Sequence, residues 1–259
     1  MNPVCPPEFL ALAGDLADAS GAVIAPYFRQ HIPTDDKADD SPVTAADREA
    51  ETAIRALIER RRPDDGIVGE EFGNIRTDAE FVWVIDPIDG TKSFIIGRPI
   101  FGTLIGLVRN GVPILGLIDQ PVAGERWIAG SGHPTTFNAA PVRTRPCAAL
   151  KDAVMATTSP QLFADSQIGR YRSVEGSVKH AIFGGDCYNY GLLAAGHLDL
   201  VIEAGLKPYD YCALAPVVRE AGGTITDWQG APVRIDSDGT ILAAGSPEIH
   251  AEALRLLSR

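Results

Sequence analysis

The stretch from residue 81 to residue 94, FVWVIDPIDGTKSF, constrains the fold of this chain more than any other. Its first five residues are apolar and predict a buried strand. That strand leads to Asp86 and Asp89, and Gly90 then permits a tight turn into a helix predicted to start at Thr91. Carboxylates bind hard cations such as Mg²⁺, and helix N-termini bind phosphate. The stretch therefore indicates metal-assisted phosphate chemistry, although an Asp-Gly pair is also typical of an ordinary turn.

The length of the chain limits its domain organisation, and its charge limits the kinds of partner that it can bind. With 259 residues the chain can form one large domain or two sub-domains with a shared interface. The formal net charge of −11 argues against nucleic acid or an anionic membrane as a partner. The same charge repels a phosphate ester unless bound cations reverse the local field, so phosphate chemistry here implies metal ions.

The cysteines and the N-terminus indicate a compartment. The four cysteines show no metal-ligand spacing, which favours free buried thiols in a reducing cytosol. They are Cys5, Cys147, Cys187 and Cys212. No signal peptide is visible at the N-terminus, and we expect no apolar run that approaches the length of a membrane span. We therefore expect a cytoplasmic protein, either a bacterial cytosolic enzyme or a mature organellar form.

The first half, residues 1–145, is predicted to be an antiparallel meander flanked by two helices. The apolar spacing predicts helices over 8–29 and 45–61, the second capped by Thr44 with Asp47 in its first turn. Strands are predicted over 66–69, 81–85, 101–108, 113–118 and 125–129. The Asn110-Gly111 pair between two of them is a strong hairpin signal.

The second half, residues 146–259, is predicted to be a layered α/β unit that follows a linker near 142–150. Strands are predicted over 153–157, 171–174, 198–203, 224–226 and 240–244. Helices are predicted over 187–195, 210–221 and 247–257, with Gly222-Gly223 ending the second of them.

Three motifs in this order resemble one family over nearly the whole chain. They are Gly69-Glu70-Glu71, then Asp86-Pro87-Ile88-Asp89-Gly90-Thr91, then Tyr209-Asp210 followed by Glu220-Ala221-Gly222-Gly223. They are similar to motifs of the inositol monophosphatase-like, Mg²⁺-dependent, lithium-sensitive phosphatases. Tyr209 stands where most members have tryptophan, and we expect it to pack. The resemblance implies an α/β (α+β) fold, a layered α/β/α/β/α sandwich, and a homodimer.

The resemblance also implies a role for each site residue. Two or three Mg²⁺ ions would be held by Glu70, Asp86, the backbone carbonyl of Ile88, Asp89 and Asp210. The catalytic group would be Thr91 with Glu70 and Asp47, which orient a metal-bound water and help to deprotonate it. The phosphate and substrate would contact Asp89, Gly90, Thr91 and Asp210. Bound cations lower the pKa of water and neutralise phosphoryl oxygens, so no covalent nucleophile is required.

Further segments resemble the histidinol-phosphate phosphatase branch of this family. They include Lys92-Ser93-Phe94, Leu117-Ile118-Asp119-Gln120-Pro121, Glu125-Arg126-Trp127 and Gly184-Gly185-Asp186-Cys187-Tyr188. Histidinol phosphate carries an ammonium group and an imidazole, so a selective site should offer carboxylates beyond the metal ligands. We hypothesise that Asp186 and Glu203 contact this cationic end. Alternatively, Asp186 is a helix cap and Glu203 a structural carboxylate.

Several alternatives remain open at this point. The ester could be inositol-1-phosphate, another small sugar phosphate or, with less support, the 3′-phosphate of an adenosine bisphosphate. A non-catalytic protein that binds metal or ligand and regulates a partner is a further alternative, which retention of the whole acidic set disfavours. Lys92 could approach either the phosphate or a neighbouring carboxylate.

Overall fold

Two β-sheets alternate with three layers of helices in the computed structural model, which describes residues 4–31, 33–36 and 42–258. The helices are α1 (Pro7–Ile24), α2 (Ala45–Arg61), α3 (Thr91–Ile95), α4 (Asp165–Glu175), α5 (Tyr188–Ala194), α6 (Pro208–Tyr211), α7 (Leu214–Glu220) and α8 (Pro247–Leu257). Short 3₁₀ turns lie at Ala25–Tyr27, Leu150–Asp152 and Pro160–Leu162. The predicted helices over 45–61 and 247–257 are confirmed at both ends.

The larger sheet has seven strands arranged in sequence order. They are β3 (Gly66–Gly69), β4 (Phe81–Asp89), β5 (Gly102–Arg109), β6 (Val112–Gln120), β7 (Glu125–Gly130), β8 (His133–Phe137) and β9 (Ala140–Pro141). The predicted antiparallel meander is correct from β4 onward but wrong for β3, which pairs with β4 in parallel. The predicted hairpin is confirmed, because Asn110 and Gly111 take the positive φ angles of a tight turn between β5 and β6. A separate antiparallel pair is formed by β1 (Thr34–Asp36) and β2 (Pro42–Thr44).

The smaller sheet has five strands in the order β11-β10-β12-β14-β13. They are β10 (Val154–Thr157), β11 (His180–Phe183), β12 (Leu200–Glu203), β13 (Thr224–Thr226) and β14 (Ile241–Ala244). Strand β10 runs parallel to β11 and β12, whereas β14 is antiparallel to both of its neighbours.

Two predicted elements of the second half are wrong. Residues 171–174 lie in α4 rather than in a strand, since Tyr171 and Val174 are three residues apart and share the buried face of a helix. The single helix predicted over 210–221 is two helices, α6 and α7. It is broken where the backbone of Cys212 and Ala213 lies directly against glycines of the larger sheet.

Helix α1 and the turn after it, Pro7–Tyr27, also require a correction. By length and composition this segment is apolar enough to cross a membrane, with a mean hydropathy of 1.3, so the expectation that no run approaches that length is wrong. In this fold its apolar face, which includes Phe9, Leu12 and Leu16, is buried against α2 and the larger sheet. A core helix of a globular protein has the same character.

The layers follow from which helices contact which sheet. Helices α1 and α2 cover one face of the larger sheet, and α5, α6 and α7 lie between the two sheets. Helices α4 and α8 cover the outer face of the smaller sheet. The α/β/α/β/α sandwich is therefore confirmed. All four cysteines are free thiols, as expected, but Cys147 is half-buried rather than buried. The division of the chain at residue 145 stays a prediction.

Candidate active site

Strand β4 ends in an irregular turn that fixes two carboxylates. The strand register with β5 shifts between Asp86 and Asp89, so the two side chains lie near one another instead of following the strict alternation of a regular strand. Asp86 Oδ1 accepts a hydrogen bond from the backbone N–H of Ile88 at 3.0 Å. Asp89 Oδ2 accepts one from the backbone N–H of Cys187, in the second half of the chain, at 2.6 Å.

A third carboxylate joins them from α6. The backbone N–H of Lys207 donates to Asp210 Oδ2 at 2.7 Å, which fixes that side chain in the first turn of the helix. One oxygen each from Asp86, Asp89 and Asp210 lies within 4.8 Å of the others. The structure thus brings three of the predicted ligands together from distant parts of the sequence.

Burial and mutual repulsion raise the pKa of all three groups. Burial is the largest cause for each. The pKa of Asp86 is raised further by Glu70, and that of Asp210 by Asp89. The pKa of Asp89 rises to about 7, with Asp186 as the second cause. Carboxylates packed in this way resist ionisation unless a cation lies among them.

These residues fit a divalent cation. The three oxygens are hard ligands of the kind that Mg²⁺ takes, and burial together with neighbouring carboxylates raises the pKa of Asp86 and Asp210, with the charge of Lys207 only partly offsetting the rise at Asp210. The carbonyl of Ile88, the fourth predicted ligand, accepts a hydrogen bond from Thr91 Oγ1 at 3.1 Å. A carbonyl oxygen has two lone pairs, so that bond leaves it able to bind an ion.

Glu70 and Thr91 lie beside this cluster, and Asp47 lies near Glu70. Glu70 and Thr91 line the adjoining cavity. Asp47 is buried, and its Oδ2 accepts the backbone N–H of Thr44 at 2.8 Å, so the helix cap is made by Asp47 rather than by Thr44 alone. Asp47 Oδ1 has no hydrogen-bond partner among the described residues. Burial raises the pKa of Asp47, and the charge of Glu70 adds to that rise.

The remaining predicted residues lie around the same cavity, which has a volume of about 630 Å³. Gly90, Asp186 and Glu203 all line it. Asp186 is not the cap of α5, because no side-chain hydrogen bond caps that helix and its carboxylate instead accepts from Ser93 Oγ at 2.7 Å. Glu203 ends β12, and its Oε1 accepts the backbone N–H of Thr158 at 2.7 Å.

Sequence reasoning missed some residues of this cavity. Tyr190 lies on its wall, and Thr158 binds Glu203, but neither carries a motif of its own. The sequence indicates Ser93 only as part of a segment that resembles the histidinol-phosphate phosphatase branch. Lys92 and Arg98 are exposed on the cavity wall, and their charges lower the pKa of Asp186 against the rise caused by burial. Lys92 therefore lies near a carboxylate, which was one of its two predicted settings.

A layered α/β/α/β/α fold, with a cluster of one buried and two half-buried carboxylates beside a small cavity, is typical of metal-dependent phosphatases. The family is now shown directly, because the sequence model of the inositol monophosphatase family matches residues 6–259. The chain belongs to the inositol monophosphatase family.

Three similar proteins illustrate the range of this family. The bifunctional phosphatase IMPL2, chloroplastic, of Arabidopsis thaliana is 49% identical over 96% of this chain and 75% of its own. A histidinol-phosphatase of Chlorobaculum parvum is 36% identical over 90% of this chain and 91% of its own. A solved inositol monophosphatase from Zymomonas mobilis is 48% identical, with a TM-score of 0.90 over 97% of this chain and 98% of its own. The chain is thus a phosphatase whose relatives include both histidinol-phosphatases and inositol monophosphatases.

Proposed function

We propose that this phosphatase hydrolyses L-histidinol phosphate to L-histidinol and phosphate, a step of histidine biosynthesis, with Mg²⁺ as its cofactor. The observation that carries the proposal is a pair of carboxylates beyond the metal cluster, Asp186 and Glu203, on the wall of the same cavity. A substrate with an ammonium group and an imidazole can pair with both. The neutral hydroxyl groups of an inositol ester do not require two additional carboxylates beside the metal cluster.

The similar proteins support this choice without deciding it. The relative from Chlorobaculum parvum is named a histidinol-phosphatase. The solved structure from Zymomonas mobilis, which is closer in sequence, is described as an inositol monophosphatase. Inositol-1-phosphate, or another small sugar phosphate, is therefore the alternative substrate that the test below must exclude.

We assign the metal site to the predicted acidic set. Two or three Mg²⁺ ions would be held by Glu70, Asp86, the carbonyl of Ile88, Asp89 and Asp210. When bound, such ions supply Lewis-acid chemistry, which lowers the pKa of a coordinated water and neutralises the phosphoryl oxygens.

The chain's own residues position the reacting groups. Gly90 takes a left-handed conformation with φ +84, and the turn at Gly90 and Thr91 presents backbone N–H groups to the phosphate. Glu70 and the Thr91 hydroxyl orient the attacking water. Asp47 Oδ1 is a buried acceptor without another partner among the described residues, and burial raises its pKa, so it can take up the proton that the water loses. No side chain forms a covalent bond to the phosphoryl group.

We also retain the proposals that the enzyme is a cytoplasmic homodimer and that it acts on a small metabolite rather than on nucleic acid or a membrane. The net charge of −11 supports the exclusion of polyanionic partners. The free thiols of all four cysteines suit a reducing compartment.

Phosphate release with Mg²⁺ tests the substrate, with L-histidinol phosphate and inositol-1-phosphate compared at matched concentrations. We expect a preference in kcat/KM of roughly a hundredfold or more for histidinol phosphate, about 2.7 kcal/mol of transition-state binding. Equal or reversed rates would keep the phosphatase chemistry and assign the enzyme to inositol or sugar phosphates. In that case Asp186 and Glu203 would not be substrate-selecting residues.

A further inference from the structure

We infer that Ser93 is a positioning residue for substrate selection, because it holds Asp186 with one carboxylate oxygen free to bind the cationic end of the substrate. The inference rests on the proposed function, since it is Asp186 that the substrate's cationic end is proposed to contact. It adds a residue to which neither the sequence nor the family motifs assign a role.

The contact between Ser93 and Asp186 joins the two halves of the chain. Ser93 lies in α3, is 8% exposed, and donates its hydroxyl to Asp186 Oδ2 at 2.7 Å across 93 residues of sequence. Both side chains line the cavity. Ser93 thus fixes Oδ2, whereas no hydrogen bond to Asp186 Oδ1 is found among the residues that the structure describes, and Arg98 and Lys92 act on this carboxylate through their charge.

The backbone around Asp186 is held in an unusual conformation. Gly184, Gly185 and Asp186 take consecutive positive φ angles of 86°, 123° and 44°. An aspartate in this region is strained, and such strain persists only where neighbouring groups hold it. One such group is Asn189, whose Nδ2–H donates to the carbonyl of Gly184 at 3.0 Å. The loop is therefore shaped to direct the carboxylate of Asp186 toward the first half of the chain.

The carboxylate of Asp186 also lies directly on the phosphate-binding turn. A Cβ atom at Gly90 would be 2.7 Å from Asp186 Oδ2, so the turn and the side chain are in contact. The next residue, Cys187, donates its backbone N–H to Asp89 at 2.6 Å. A single loop thus links the substrate-selecting carboxylate with the turn that binds phosphate, and Ser93 is the side chain that sets the angle between them.

Removal of the Ser93 hydroxyl tests the inference through substrate preference. Ser93→Ala should lower kcat/KM for L-histidinol phosphate about tenfold, mainly through KM, because a hydrogen bond to a charged group is lost. Hydrolysis of glycerol 2-phosphate should change by less than about twofold, because this ester has no cationic group for Asp186 to bind. An equal loss of activity toward both substrates would instead indicate general damage to the site. Ser93→Cys keeps a donor, although a larger and weaker one, and its preference for histidinol phosphate should lie between those of the parent and Ser93→Ala.

A matched control and a double variant separate positioning from stability. Ser131 is also buried, and its hydroxyl bonds to a charged group, Arg219, at 3.0 Å, but it lies outside the cavity lining. Ser131→Ala should keep the parent's ratio of kcat/KM for L-histidinol phosphate to kcat/KM for glycerol 2-phosphate. When Asp186→Asn is already present, Ser93→Ala should have little further effect on histidinol phosphate, because coupled residues are not additive.

The outcomes distinguish this inference from the proposed function. A parent enzyme that prefers histidinol phosphate, with Ser93→Ala showing the same preference, would overturn the role of Ser93 alone. A parent that does not prefer histidinol phosphate would overturn both. If Ser93→Ala does not fold, Ser93→Cys decides, and an unchanged ratio in a folded Ser93→Cys enzyme counts against the inference.

Discussion

At the scale of single residues, Glu203 shows how burial changes the chemistry of this site. It is 2% exposed, and its Oε2 has no hydrogen-bond partner among the described residues. Burial is the largest cause that raises its pKa from 4.5 to about 8. The folded chain therefore binds a proton on Glu203 at pH values at which the unfolded chain has lost it, and that difference makes stability depend on pH.

The raised pKa of Glu203 predicts the direction in which the free energy of unfolding changes with pH. Without metal, the free energy of unfolding should fall as the pH rises from about 5 to 8, because the folded state binds more protons than the unfolded state in that window. Asp89, with a pKa of about 7, contributes with the same sign. Glu203→Gln should therefore reduce this slope by at most about 1.4 kcal/mol per pH unit, the contribution of one proton, without abolishing it, because the pKa values of Asp86, Asp89 and Asp210 are raised as well.

Urea denaturation in EDTA at several pH values measures this slope. The exposed Glu248→Gln variant is the control for loss of a carboxylate as such, and it should keep the slope of the parent. A Glu203→Gln protein with the slope of the parent would show that Glu203 does not bind the proton in this window.

At the scale of elements, close approach between a helix pair and a sheet places Asp210. The segment that joins α6 to α7 lies on β5 and β6 at two glycines. A Cβ atom at Gly116 would be only 1.8 Å from the carbonyl oxygen of Ala213, and one at Gly106 would be 3.1 Å from its backbone nitrogen. These glycines let the backbone after Asp210 contact the sheet directly, which brings α6 within reach of the end of β4.

Substitution of Gly116 should damage both stability and activity. Gly116→Ala places a methyl group against backbone that cannot rotate away, so we expect a loss of about 1–3 kcal/mol or more in unfolding free energy. We also expect weaker metal-dependent activity, because Ala213 is three residues from Asp210. Thermal denaturation and phosphate release measure the two effects.

A second glycine supplies the matched control. Gly169 lies in α4, and a Cβ atom there meets nothing within 4 Å. Gly169→Ala should therefore stabilise the protein by about 0.5–1 kcal/mol and leave activity unchanged. Equal stabilities for the Gly116 and Gly169 variants would contradict the close approach.

The sequence predicts those parts of the site that are local in the chain. The apolar run into Asp86 and Asp89, followed by Gly90, predicts a strand, a turn and a helix start, and all three are confirmed. The bond from Ser93 to Asp186 could not be predicted, because it depends on how two distant halves dock. The break between α6 and α7 has the same origin, since it follows from contact with Gly116 rather than from the composition of residues 210–221.

At the scale of the whole molecule, the acidic cluster brings together carboxylates that repel one another and come from parts of the chain that are far apart in sequence. Asp86 and Asp89 come from the larger sheet, whereas Asp210 comes from a helix between the sheets. Burial and Asp89 raise the pKa of Asp210, so the ionised cluster opposes the docking of these elements. A bound cation reverses that opposition, and metal binding should therefore stabilise the fold as a whole.

Calorimetry with and without Mg²⁺ tests this linkage through Asp210→Asn. For the parent, Mg²⁺ at a hundred times its Kd should add about 2.7 kcal/mol of stability. The variant keeps the side-chain oxygen that accepts the Lys207 N–H but removes one negative charge. It should be more stable than the parent in EDTA, because repulsion is relieved, and it should gain much less from Mg²⁺.

Asp236→Asn, at an exposed site, is the control and should follow the parent in both conditions. A variant with the stability of the parent in both conditions would exclude Asp210 as a metal ligand. A variant that is more stable than the parent in EDTA and less stable in Mg²⁺ would link the stability of the whole fold to the ion.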